Sequence, residues 1–101
     1  MNQIVIISPL EAIDVFKQLG FDTLVSHDGE VIRDYIKKHI LEVKVFIYDL
    51  ELKDLISPIR QEYKTQAFPI FVALAFQEDQ IEASIAEANR QIETAIGIKI
   101  E

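Results

Sequence analysis

The sequence has no cysteine and no tryptophan, and only three glycines and three prolines in 101 residues. Without cysteine there are no disulfides, thiol nucleophiles, iron–sulfur clusters or cysteine zinc sites. Nothing points to an oxidising compartment. Phosphate-cradling turns need glycines, so that backbone amides can approach the ligand. Gly20, Gly29 and Gly97 all lie away from the turn after the first apolar run, and no Walker-type lysine motif exists. Basic residues are also short: ten against 17 acids, for a net charge of −7. A surface that negative repels phosphate backbones, so no nucleic-acid partner is expected. Long apolar runs are missing too. The longest, residues 68–76, contains Pro69 and reaches about half of what a spanning helix needs. Met1-Asn2-Gln3 lacks a basic region and residues 4–7 are too short for a signal core. The expectation is a cytoplasmic protein with no direct membrane insertion.

Half the residues are hydrophobic and 27% are charged, a composition that suits one compact domain. A chain this short buries only about 60–65% of its unfolded surface, which predicts modest stability. Ile4-Val5-Ile6-Ile7 reads as a strand buried on both faces, as in a parallel sheet. Ser8, Pro9 and Glu11 then read as cap, first helical residue and capping box. That helix carries Leu10, Ile13, Phe16 and Leu19 and stops at Gly20. Residues 21–25 form a second strand. His27 or Asp28 opens a second helix bearing Val31, Ile32, Tyr35, Ile36 and Ile40. Residues 43–48 form a third strand, followed by a helical stretch broken at Ser57-Pro58. Residues 69–75 form a fourth strand. Asp79-Gln80-Ile81-Glu82 reads as a second capping box, and the last helix ends at Gly97.

This βαβαβαβα order predicts an α/β fold: a four-stranded parallel sheet, Rossmann-like or receiver-like, with helices on both faces and a C-terminal helix. Residues 1–76 form the compact sheet unit, and residues 77–101 the final helix and tail of the same domain. The turn at residues 76–79 reads as a hinge. Residues 77–101 hold six acids and two bases, more than half of the net charge. An acidic helix face is ordinarily a solvated one, and otherwise a surface for a basic partner.

The search for chemistry falls on the residues after each strand, where doubly wound sheets place ligands. His27 and His39 lie twelve apart, with no metal-ligand spacing. Ser8, Ser26, Ser57 and Ser84 stand in no nucleophile elbow, and no base and orienting acid accompany them. No catalytic, cofactor-binding or metal-binding residue is assigned. Asp49 closes Val45-Phe46-Ile47-Tyr48-Asp49, which resembles the strand ending at the phosphoacceptor of receiver domains. Receivers hold magnesium there with an acidic pair after strand one, because magnesium prefers carboxylate oxygens. This chain has Ile7-Ser8-Pro9 at that place, and Ala73 and Ala75 where receivers carry a hydroxyl. Asp49 then reads as a cap for the following turn.

One family carries the whole pattern. Phe16-Lys17-Gln18-Leu19-Gly20-Phe21-Asp22, Val45-Phe46-Ile47-Tyr48 and Ile56-Ser57-Pro58 come in its order and spacing. So do Glu62-Tyr63-Lys64, Pro69-Ile70-Phe71-Val72 and Ile92-Glu93-Thr94-Ala95-Ile96-Gly97. In these segments the chain resembles the small central-stalk subunit of the V/A-type rotary ATPases (ATP synthases). It departs at Ser8-Pro9, where the family often has a glycine–acid turn, and at residues 75–79, which lack the family's proline and glycine. The resemblance implies a noncatalytic protein, peripheral to the membrane through the ATPase complex. It implies binding to the coiled-coil shaft of the rotor, with the catalytic or regulatory ring as a further contact. It also implies modulation of ATP hydrolysis coupled to ion or proton transport, and no cofactor. A homodimer is possible when the chain is isolated. The alternative is a degenerate, non-phosphorylated receiver-like interaction module, and a small enzyme ranks last. The candidate partner surface is the isoleucine stripe of the last helix with its flanks: Phe76, Ile81, Ile85, Ile92, Ile96 and Ile98. The same stripe can instead cover its own sheet, and the helix can alternate between the two.

Overall fold

A computed structural model describes residues 3–96. Four strands form the centre: β1 (Ile4–Ser8), β2 (Asp22–Val25), β3 (Val45–Asp49) and β4 (Ile70–Leu74). They are all parallel, in the order β2-β1-β3-β4. The continuous apolar runs of β1 and β3 require burial on both faces, and the two strands take the two central places. The twofold alternation of a strand then sorts their side chains into two cores. Ile6, Ile47, Val72 and Leu74 face one side. Val5, Ile7, Phe46, Tyr48 and Phe71 face the other. Phe46 stacks on Phe71 there, with centroids 5.4 Å apart.

Each face is covered by two helical elements. A 3-10 helix (Glu11–Leu19) and α3 (Ile81–Ile96) cover the Ile6 face, through Ile13 and Phe16 and through Ile81, Ile85, Ala88 and Ile92. α1 (Gly29–His39) and α2 (Lys53–Glu62) cover the Val5 face, through Ile32, Ile36, Ile56 and Ile59. Each isoleucine so buried contributes about 1.5–3 kcal/mol. Asp28 caps α1, its carboxylate accepting from the amides of Glu30 and Val31. No helix among the described residues is long and apolar enough to cross a membrane.

Four local expectations need correction. The first helix is a 3-10 helix starting after Leu10, with no side-chain cap. Ser8 stands two residues before the cap position, so its hydroxyl accepts from the amide of Leu10 rather than from one inside the helix, while its proton goes to Asp49 on the neighbouring strand. The stretch around Ser57-Pro58 is one continuous helix. Pro58 removes one backbone hydrogen bond and crowds the Asp54 carbonyl, a cost of about 3 kcal/mol that the burial of Ile56 and Ile59 offsets. The last helix is entered through a 3-10 turn (Glu78–Gln80) preceded by Gln77, which makes no side-chain cap. Leu19 and Val31, placed on apolar faces by spacing, are 63% and 46% exposed. Val31 lies about 100° around α1 from buried Ile32, too far to reach the sheet.

Gly20 ends the 3-10 helix with φ +92°, and its amide donates to the Lys17 carbonyl at 3.3 Å. Apart from its own chain neighbours, no described atom lies within 4 Å of where a Cβ would sit. The cost of a side chain there is therefore purely conformational, about 1–2 kcal/mol. Gly20→Ala is expected to lower the melting temperature by several degrees, and Gly20→Asn by less. Paired thermal melts check this, and equal melting temperatures for wild type and Gly20→Ala would contradict it.

Candidate functional site

The chain leaves β1 outward to β2 and returns to β3 on the other side, so the connections diverge between β1 and β3. Ligand crevices form at such divergences, outside the carboxyl ends of the strands. Here those ends carry Ser8 and Asp49, 0% and 4% exposed, the two buried polar residues among the described ones. The Ser8 hydroxyl donates to Asp49 Oδ2 at 2.8 Å and accepts from the Leu10 amide at 3.1 Å. Asp49 Oδ1 accepts from the Glu51 amide at 3.0 Å. The Ser8 carbonyl accepts from the Ser26 amide at 3.1 Å, which fastens the end of β2 to the same point.

This arrangement satisfies itself. A buried hydroxyl and carboxylate without partners would cost several kcal/mol. Together they join the two central strands and hold the turns that follow each. A phosphoacceptor carboxylate has to face solvent and a metal, whereas Asp49 faces a serine. Among the described residues no group of three His, Asp or Glu side chains converges as a metal set would. His39 approaches Glu42 at 3.4 Å, and His27 is exposed.

The proposed partner residues take different places. Ile81, Ile85 and Ile92 are buried in the core beneath α3, and Phe76 is half-buried against it. The side chain of Ile96, and Ile98 altogether, lie outside the described residues. The stripe thus covers its own sheet in this conformation. The Ser84 hydroxyl ties the start of α3 to the end of β4, donating to the Ala75 carbonyl at 3.4 Å and to the Gln80 carbonyl at 3.2 Å. The seat has one flaw. Asn89 Oδ1 is buried with no hydrogen-bond partner among the described residues, a penalty of about 1–3 kcal/mol.

Tyr35 lies on α1 with its ring against His39, centroids 4.7 Å apart. Burial, and then the charge of Asp22, hold its phenol above the ordinary value of 10.0. The folded state therefore keeps a proton that the unfolded chain loses. The resulting stability is full below about pH 10 and is lost as the pH rises through the higher folded value. Tyr35→Phe is expected to show a different dependence of stability on pH from wild type between about pH 9 and pH 11, because it lacks this titration. Urea titrations at both pH values check this, and parallel changes in the two proteins would remove the assignment.

A concavity lies at the other end of the sheet, away from the carboxyl ends of the strands. A pocket of about 210 Å³ opens between the end of α2 and the start of β4, lined by Arg60, Tyr63, Lys64, Pro69 and Phe71 among others. In the sequence its only signal is the pair Arg60 and Lys64, four positions apart at the end of α2 and in the turn after it. The fold and the self-satisfied pair define a small, doubly wound α/β domain whose switch point is closed. No protein-family model matches the chain, and no curated protein matches it.

Proposed function

We propose that the chain is a noncatalytic central-stalk subunit of a V/A-type rotary ATPase or ATP synthase. In this reading it binds the coiled-coil shaft of the rotor and modulates ATP hydrolysis coupled to ion transport. The observation that carries it is the order and spacing of the segments between Phe16 and Gly97 that resemble the stalk family. The four-stranded parallel sheet followed by one C-terminal helix is compatible with that role. A stalk accessory needs a rigid body and an adhesive surface. Two cores on one sheet supply rigidity. The adhesive surface is the stripe of Ile81, Ile85 and Ile92 with Phe76, reached when α3 lifts. The orphaned carbonyl of Asn89 lowers the cost of lifting, because water satisfies it once the helix leaves.

Co-expression with the host's shaft protein, followed by size exclusion with light scattering, tests this reading. A stable one-to-one complex is expected. A chain that stays alone, or pairs only with itself, would sink it. The lifting step has its own test, because any engineered disulfide between α3 and β4 is the only one in a chain without cysteine. Locking the helix down should abolish regulation, and unchanged regulation would refute the lift.

One observation favours a second reading, the degenerate receiver-like interaction module. Asp49 ends β3 at the switch point, as a phosphoacceptor would, yet its carboxylate is committed to Ser8 and the Glu51 amide. Self-association without affinity for the shaft would select this reading.

A further inference from the structure

We propose that the outer edge of β4 is a docking site for an extended acidic segment of a partner protein, which adds to the sheet as a fifth strand. The proposal stands on this surface alone and does not depend on the rotor reading.

β4 is last in the sheet order, so among the described residues one side of its backbone has no neighbouring strand. The Ile70 amide donates to the Lys44 carbonyl at 2.8 Å, and so faces β3. In a strand the direction alternates, so Phe71 and Ala73 point their N–H and C=O groups to the open side. Free edges of this kind accept extended peptides, whose backbone supplies affinity while alternate side chains enter flanking pockets. The pocket of about 210 Å³ lies at the start of this strand, lined by Pro69, Ile70 and Phe71 and by Tyr63 and Ala67. It has the size for one side chain, with apolar walls from Ala67, Pro69, Ile70 and Phe71 beside polar ones from Arg60, Lys64 and Gln66.

Charge identifies the occupant. Arg60 and Lys64 line the pocket, exposed and without an ion-pair partner among the described residues. Lys53 precedes Arg60 by seven positions, two helical turns, and so shares its flank of α2. The opposite flank faces α1, where Leu55 approaches Gly29. A cationic row without ion pairs among the described residues is unusual on a chain of net charge −7. It attracts carboxylates across an interface and disfavours cationic sequences. It also disfavours a symmetric dimer through two β4 edges, which would bring two such rows together.

The test uses a fluorescein-labelled peptide of alternating Glu and Val, with alternating Lys and Val as the control. The Glu–Val peptide is expected to bind, to shift the amide resonances of Phe71 and Ala73, and to weaken with salt. The double variant Arg60→Glu/Lys64→Glu is expected to lose about tenfold or more in affinity. Both positions are exposed, and an unchanged circular dichroism spectrum establishes that the variant is folded. The proposal is overturned if neither peptide binds, if both bind equally, or if the double variant binds as wild type does. It is also overturned if the shifted amides lie away from β4, or if light scattering finds that edge occupied by a second copy.

Discussion

Ile85→Asp is expected to free α3 from the sheet while the opposite face stays packed. Ile85 is 4% exposed and belongs to the core formed by α3, the 3-10 helix and one face of the strands. The substitution removes a buried aliphatic side chain and sets a carboxylate in its place. The combined penalty is about 4 kcal/mol or more. A domain of this size has about 5–15 kcal/mol in total, so the change is severe. It acts on one face only. Ile32, Ile36, Ile56 and Ile59 pack on the other side of the same strands, in a separate core. Amides of α3 should therefore exchange rapidly in the variant while those of α1 and α2 remain protected. Loss of protection in all three helices together would show one cooperative unit. A lifted helix would then not be a separate state, and that part of the rotor proposal would fall.

The second large effect concerns the switch point. Ser8→Ala leaves Asp49 Oδ2 without its donor, and Asp49→Ala strands both the Ser8 hydroxyl and the Glu51 amide. Each single change is expected to cost about 2–3 kcal/mol, because one partner of a buried pair is left unsatisfied. The double variant should cost less than the sum, by about 1–2 kcal/mol, since its second change removes a group already orphaned. Urea denaturation of all four proteins gives the coupling directly. Strict additivity would mean that the hydrogen bond contributes nothing, and that the two residues are buried for another reason.

Much of this architecture is legible along the chain. Ile4-Val5-Ile6-Ile7 and Val45-Phe46-Ile47-Tyr48 announce buried strands because nothing polar interrupts them. Asp28 and Gly20 mark a helix start and a helix end by local chemistry alone, and both behave as that chemistry dictates. Legibility fails where a residue's partner is remote. Ser8 has the sequence context of a helix cap, but the cap position lies two residues later, and the Ser8 hydroxyl proton goes to Asp49, 41 positions away. Only the adjacency of β1 and β3 brings the two together. Pro58 reads as a break, yet the burial of Ile56 and Ile59 on either side of it outweighs the lost hydrogen bond and the crowded carbonyl. The isoleucine spacing of α3 is plain, but periodicity says that a face is apolar and not what covers it. Asp49 is visible as a strand-end carboxylate, while its engagement by Ser8 rests on geometry. The pocket beside β4 is least legible, because it joins the end of one helix to the start of a strand across a loop.

The placement of the aromatic rings has a practical consequence for spectroscopy. The three tyrosines, Tyr35, Tyr48 and Tyr63, all belong to the α1–α2 side of the sheet, and there is no tryptophan. Intrinsic emission therefore views the molecule from one side. A melt or titration followed by it alone would register α1 and α2 and miss any departure of α3. Far-ultraviolet dichroism sees all three helices. Two curves that fail to superimpose would then be the simplest signature of a helix leaving a sheet that remains folded.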